Sequence, residues 1–328
     1  CAEGTGGPQA LAGLGTRDVA RDMDVLRATL GDEKLSYLGY SYGTELGAVY
    51  AEAFPQNVRA MALDAAVDPD LTATEFRLSQ TVGFQAAFDA VAASCATAAD
   101  CPLGTDPARA TETFQTIMRP LLDRPAPTTD GRGLAFEDAM TAVSSGLYAE
   151  AQWPTIIQGI TEVTAGRGDV LLEMRDGYFG RGPDGRYNDL LDANIAIRCM
   201  DNPRRTSAEN TELARDIYAA APFLDPGRPV AESHHECEAW PEPPTRTEPW
   251  LTGDVAVPPT LTVSVTGDPA TPYQGGVNLA RALGGSLLTV DGNQHGISLL
   301  GQSACVDDIV TDYLIELQTP PTDARCTL

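Results

Sequence analysis

Leu35-Ser36-Tyr37-Leu38-Gly39-Tyr40-Ser41-Tyr42-Gly43-Thr44 is the stretch that decides the fold. It reads as a short apolar strand running through Gly-x-Ser-x-Gly into a helix over 45–54. A serine at such a sharp strand-to-helix turn is held out at the carboxyl edge of a sheet, where its hydroxyl can act as a nucleophile. The steric demand falls on the flanking glycines. Gly39 and Gly43 are expected to lack side chains so that strand and helix can approach. Tyr42 follows the serine, and its backbone N–H is expected to point to where an oxyanion forms on a substrate.

Working outward, Thr16 reads as a helix N-cap. Val19, Met23, Val25, Leu26 and Leu30 then recur at helical spacing as far as Gly31. After the serine, Pro55-Gln56-Asn57 is a turn, and 58–66 (VRAMALDAA) is a second buried strand closed by Asp68-Pro69. The order helix, strand, helix, strand predicts a parallel sheet with crossover helices. From about 71 to 250 the pattern is helical instead, with helices expected over 72–96, 106–122, 134–149, 153–165, 187–200 and 207–220. The sheet pattern resumes with a strand at 261–265, a helix at 274–283, a last strand at 286–290 and a closing helix at 306–317. The fold class is therefore α/β, with a mainly helical cap inserted between sheet strands. The expected parts are 1–70 (core with the serine turn), 71–250 (helical cap or lid) and 251–328 (the rest of the core).

The chain has 328 residues, with 46 acidic against 22 basic side chains and a formal net charge of −24. Such a surface repels nucleic acid and anionic membranes. The simplest reading is a solvated acidic surface, which also suits amine-bearing substrates. No apolar run reaches the ~18 residues that a spanning helix needs. Seven cysteines are present and none forms Cys-x-x-Cys, which argues against a zinc ribbon or a thioredoxin-type site. Several lie in polar or Pro/Gly-rich loops, which suits disulfides in an oxidising compartment. Sequence neighbourhood pairs them most simply as Cys95–Cys101, Cys199–Cys237 and Cys305–Cys326, although the spacing leaves other connectivities open. Cys1 is left over, which points to a partner outside these residues.

Two later residues complete a chemistry. Asp268 follows the strand at 261–265, and His295 follows the strand at 286–290. In a parallel sheet all three residues emerge at one edge. The chain order Ser41, Asp268, His295 is that of α/β-hydrolases. His295 is expected to take the serine proton as general base, and Asp268 to orient the imidazole. Asp64 and Asp68 are rivals for the acid, because some hydrolases draw it from the preceding strand. His234-His235-Glu236-Cys237 admits a metal reading, but adjacent side chains rarely converge on one ion. It is read as a disulfide-bearing loop, so neither metal nor cofactor is expected. Tyr148, Trp153, Tyr178, Phe179 and Trp240 are read as packing.

Taken together these residues resemble the secreted tripeptidyl aminopeptidases of actinomycetes, relatives of the prolyl aminopeptidases. The features that carry the resemblance are Gly39-Tyr40-Ser41-Tyr42-Gly43-Thr44, Phe54-Pro55, Cys95 with Cys101-Pro102-Leu103, and Ile197-Arg198-Cys199-Met200-Asp201. Further along they are Cys237 with Trp240-Pro241, Gly267-Asp268 with Thr271-Pro272, His295-Gly296 and Cys305-Val306. The resemblance runs over nearly the whole chain. It implies a secreted serine exopeptidase acting on peptide N-termini, with Ser41, Asp268 and His295 as triad. It also implies acidic cap residues holding the substrate ammonium, for which Asp201, Glu236 and Glu238 are candidates. An esterase, lipase or amidase on the same scaffold is the first alternative, and a non-catalytic binding or maturation protein the second. That family carries more strands before the serine turn, and a His-Gly-Gly type loop that donates the second oxyanion N–H. Neither is present here. A preceding segment or second chain, joined through Cys1, is therefore expected to complete the sheet.

Overall fold

The computed structural model describes residues 2–246, 249–252 and 255–328. Cys1 lies outside the described residues, and the expected link through its thiol lies there with it. The order opens with α1 (Pro8–Leu11), α2 (Thr16–Thr29), β1 (Leu35–Tyr40), α3 (Tyr42–Ala53) and β2 (Val58–Asp64). Seven helices follow: α4 (Ala73–Cys95), α5 (Ala110–Met118), α6 (Phe136–Gly146), α7 (Trp153–Thr164), α8 (Asp169–Tyr178), α9 (Leu190–Asp201) and α10 (Ser207–Ala220). The chain closes with β3 (Leu261–Val265), α11 (Tyr273–Ala282), β4 (Ser286–Asp291), α12 (Ala304–Glu316) and β5 (Arg325–Thr327). Among the described residues no helix is long and apolar enough to cross a membrane.

The five strands form one parallel sheet in the order β1-β2-β3-β4-β5. The expected last strand, 286–290, is thus not the last. Arg325–Thr327 adds a fifth, pairing Cys326 with Val290. Three residues with one apolar side chain carry no strand signal, and here the pairing is supported by the Cys305–Cys326 disulfide, which ties β5 to α12.

Strand β2 shows why the sheet is covered on both faces. Met61 and Leu63 pack into a cluster with Ala48, Val49 and Tyr50 of α3 and Leu279 of α11. Ala60 and Ala62, pointing the other way, join Leu261, Val263, Leu288, Val290 and the α12 residues Val306, Val310 and Tyr313. Period-2 alternation with both sets apolar is the pattern of a buried parallel strand. Each large side chain so buried contributes about 1.5–3 kcal/mol.

The chain divides into two compact units. One comprises 1–80, 192–207 and 234–328, the other 81–191 and 208–233. The second unit is helical. Phe88, Phe114 and Phe223 form its aromatic centre, with Phe88 and Phe223 stacked at 4.9 Å, and Cys95–Cys101 closes the loop after α4. The expected cap at 71–250 was drawn too wide. Residues 71–80, 192–207, which include most of α9, and those from 234 onward belong to the unit that holds the sheet, and named contacts hold the last two there. Asp201 accepts the Thr16 N–H at 2.9 Å. Cys199 is joined to Cys237. Arg246 makes a buried ion pair with Glu45 of α3, and Trp250 and Leu251 fill the core beside α3. Asp201 also corrects the reading of Thr16. The N-cap position is Gly15, and the free N–H of the first turn is satisfied by a distant carboxylate instead of a local side chain.

Candidate active site

In a parallel sheet every strand delivers its C-terminal residue to one edge. The register pairs Tyr40 with Asp64, Asp64 with Val263 and Val265 with Val290. Ser41, Asp268 and His295 follow β1, β3 and β4 respectively, so all three leave the sheet on that edge.

Ser41 sits between β1 and α3 with φ 53° and ψ −122°, a conformation that L-residues rarely adopt. Its N–H donates to the Asp64 carbonyl at 3.0 Å, and its own carbonyl accepts from the Thr44 N–H at 2.9 Å. The backbone is therefore tied on both sides while the side chain is turned out of the strand direction. The two glycines divide in role. A Cβ on Gly39 would lie 2.5 Å from the Gly43 carbonyl oxygen and 2.6 Å from the Tyr37 ring. On Gly43 it would meet only the Tyr37 hydroxyl, at 3.4 Å, which is ordinary contact. The expectation that both positions must lack a side chain is corrected. Strand and helix touch at Gly39, and Gly43 has room. Tyr42 is the first residue of α3, so its N–H has no acceptor within the helix. Its phenol meets the Thr16 hydroxyl at 2.7 Å, and burial pushes its pKa up.

Asp268 is wholly buried and His295 nearly so. His295 Nδ1 lies 2.9 Å from Oδ1 and 3.0 Å from Oδ2 of Asp268. An ionised carboxylate only accepts, so Nδ1 carries the proton and Nε2 is the basic nitrogen. The carboxylate is itself held by the Ala270 and Thr271 N–H groups, both at 2.9 Å, and by the Thr271 hydroxyl at 3.0 Å. That hydroxyl also lies 3.2 Å from His295 Nδ1. Sequence reasoning gave Thr271 no role. The signal was the Asp-x-x-Thr spacing, which lets a carboxylate accept from the second and third residues after it, as in a helix cap. The turns after β3 and β4 are joined by the Gly267 N–H donating to the Gly292 carbonyl at 2.9 Å.

The rival acids have other partners. Asp68 accepts from the Asn278 side-chain amide at 2.9 and 3.0 Å and so holds α11. Asp64 accepts the N–H groups of Ile297 and Ser298. The three acids considered for a substrate ammonium each have a partner of their own. Asp201 is buried against Thr16. Glu236 pairs with Arg198 at 3.2 Å, and Glu238 with His234 at 2.8 Å, both part-exposed. His235, Glu236 and Cys237 bring possible ligand atoms within 4.8 Å, but the Cys237 sulfur is bonded to Cys199 and offers no thiolate to a metal.

The family model described as "TAP-like protein" matches residues 221–326. A "Serine protease Hip1" of Mycobacterium tuberculosis is 46% identical over 98% of this chain and 63% of its own length. A protein named "Carboxylesterase B" from the same species is 43% identical over 96% of this chain and 61% of its own. The "Tripeptidyl aminopeptidase" of Streptomyces lividans is 30% identical over 99% of this chain and 60% of its own. The chain thus spans about three fifths of the length of the curated relatives it matches.

Proposed function

We infer, for a chain that belongs with the tripeptidyl-aminopeptidase-like α/β-hydrolases, that it carries the catalytic site of a serine hydrolase acting on peptide N-termini. The observation that carries this reading is the buried Asp268–His295 pair at the sheet edge that also bears the strained Ser41. In the mechanism we propose, Ser41 Oγ attacks the scissile carbonyl carbon while His295 Nε2 takes its proton. The Tyr42 N–H donates to the oxygen that becomes negative. The imidazolium, steadied through Nδ1 by Asp268, then gives its proton to the departing amine, leaving an acyl-serine. Water, activated by the same histidine, releases the acyl part as a carboxylic acid and restores Ser41. Thr271 holds the carboxylate through its N–H and its hydroxyl. The three disulfides fit an oxidising compartment, and we propose secretion on that ground.

Of the candidate acids, Glu236 and Glu238 have accessible carboxylates, and this reading assigns the substrate ammonium to them. A relative named as a carboxylesterase supports ester hydrolysis as the second reading. One panel separates the two, comparing tripeptidyl anilides with a free or acetylated N-terminus against short acyl esters. The expected result is cleavage of the free anilides, with acetylation lowering kcat/KM by about 10²-fold through the lost charge pairing. Glu236→Gln and Glu238→Gln should raise KM for the free substrates alone. Cleavage confined to the esters, or indifference to acetylation, would overturn the aminopeptidase reading.

A further inference from the structure

We propose that Asp64 is a second carboxylate of the site, a positioning residue that holds the His295 loop by its negative charge. The inference rests on the serine-hydrolase reading above. Asp64 ends β2, between the strands that deliver Ser41 and Asp268. Its side chain is buried, and Oδ2 accepts two consecutive backbone N–H groups, Ile297 at 2.7 Å and Ser298 at 2.6 Å. These are the second and third residues after His295. Two adjacent N–H groups converging on one oxygen form a small anion-binding nest.

The backbone is bent on both sides to make the contact. Ala65, next to the carboxylate, has φ 58°, and Gly296, next to the histidine, has φ 74°. A Cβ on Gly296 would lie 3.9 Å from Ala65 Cβ and 4.0 Å from Asp64 Oδ2. A non-glycine residue in the left-handed region costs about 1–3 kcal/mol, and such strain persists where surroundings over-determine it. From β1, the Tyr40 hydroxyl reaches the Ser298 carbonyl, so the loop is gripped from a second strand.

The charge matters because the partners are few. Oδ1 of Asp64 is buried without a hydrogen-bond partner. Burial pushes the Asp64 carboxyl up, the two N–H groups and the nearby Ser298 hydroxyl pull it back, and the charge of Asp268 pushes it up again. The titratable groups that act on it or feel its charge are Tyr40 from β1 and Asp268 after β3. Asp307 of α12 holds the far end of the loop through the Leu299 and Gly301 N–H groups. When ionised, Asp64 makes two charge-assisted hydrogen bonds to the loop. When protonated, it keeps only weaker neutral ones, and the imidazole loses its fixed position relative to Ser41.

The test is the rate at which a fluorophosphonate labels Ser41 in the whole protein between about pH 5 and 9. This reaction needs the histidine but no particular substrate. The wild type is expected to lose labelling on acidification, as protonation of Asp64 weakens its two bonds to the loop. In Asp64→Asn the acidic limb should lie at lower pH than in the wild type, because removing an anion near a general base extends the base's range to lower pH. Its rate at pH 8 should drop about tenfold, and that of Asp64→Ala about 100-fold, through misplacement of the imidazole. Tyr40→Phe removes the other grip without removing charge, and should slow labelling while leaving the limb in place. A limb in Asp64→Asn that superimposes on the wild type overturns the proposal, as does an equal shift in Tyr40→Phe. Failure of the wild type to label at all overturns the serine-hydrolase reading, and this inference with it.

Discussion

Ser41→Gly is expected to abolish hydrolysis and at the same time to raise the thermal midpoint. Removing the nucleophile of a serine triad costs about 10⁵–10⁶-fold in kcat/KM, because what remains is binding and oxyanion stabilisation alone. The stability gain comes from the backbone. Ser41 is held at φ 53°, ψ −122°. That conformation costs a residue with a Cβ about 1–3 kcal/mol. Glycine removes the strain but returns about 0.5–1 kcal/mol through its greater freedom in the unfolded chain. The net gain corresponds to a rise of about 1–4 °C for a chain of this size. Ser41→Ala separates the two effects, since it loses activity to the same degree and keeps the Cβ, so its midpoint stays near the wild type. Calorimetry on the three proteins, beside an activity assay, reads both. A Ser41→Gly variant less stable than Ser41→Ala would contradict the strained-turn account.

Gly39→Ala is the second large effect, and it acts without touching a reacting atom. The added carbon would fall 2.5 Å from the Gly43 carbonyl oxygen, a backbone atom that cannot rotate away. Either α3 moves off β1 or the turn between them deforms. Overpacking of this kind costs about 1–3 kcal/mol. The displacement carries Ser41 and the Tyr42 N–H with it, and a shift near 1 Å costs about 10²-fold in rate. Gly43→Ala is the matched control, because its new carbon meets only the Tyr37 hydroxyl at 3.4 Å. Activity within about tenfold of the wild type is expected there, well short of the loss at Gly39. Equal losses at the two positions would show that the motif's glycines act through something other than this contact.

The parts of the fold legible in the sequence are those whose signal is local. β1, β2 and β3 are runs of apolar residues bounded by turn residues, and each lies where the pattern puts it. The Asp268–His295 pair was legible because each residue directly follows such a strand. Other features depend on distant partners. β5 is Arg-Cys-Thr and becomes a strand only through β4 and a disulfide to α12. α8 was missed because its ten residues contain Gly177 and four charges, and only Leu171 and Leu172 are buried. The border of the helical unit was drawn too wide because nothing in the composition of 192–207 or 234–250 marks it. Those segments join the sheet through Asp201 to Thr16, Cys199 to Cys237 and Arg246 to Glu45, which are long-range pairings. Asp64 read as a rival acid for a sound reason, since it stands at the same edge. Only the structure shows its carboxylate turned to backbone N–H groups instead of the imidazole.

On the proposed mechanism, Ser41 is a nucleophile activated by His295 and Asp268. Peptide mapping after reaction of the whole protein with a fluorophosphonate tests it most directly. One phosphonate per chain is expected, on the peptide containing Ser41, with labelling lost in His295→Ala and slowed about 10⁴-fold in Asp268→Asn. Stoichiometric modification of a different residue, or labelling of Ser41 that persists at the wild-type rate in both variants, would contradict it.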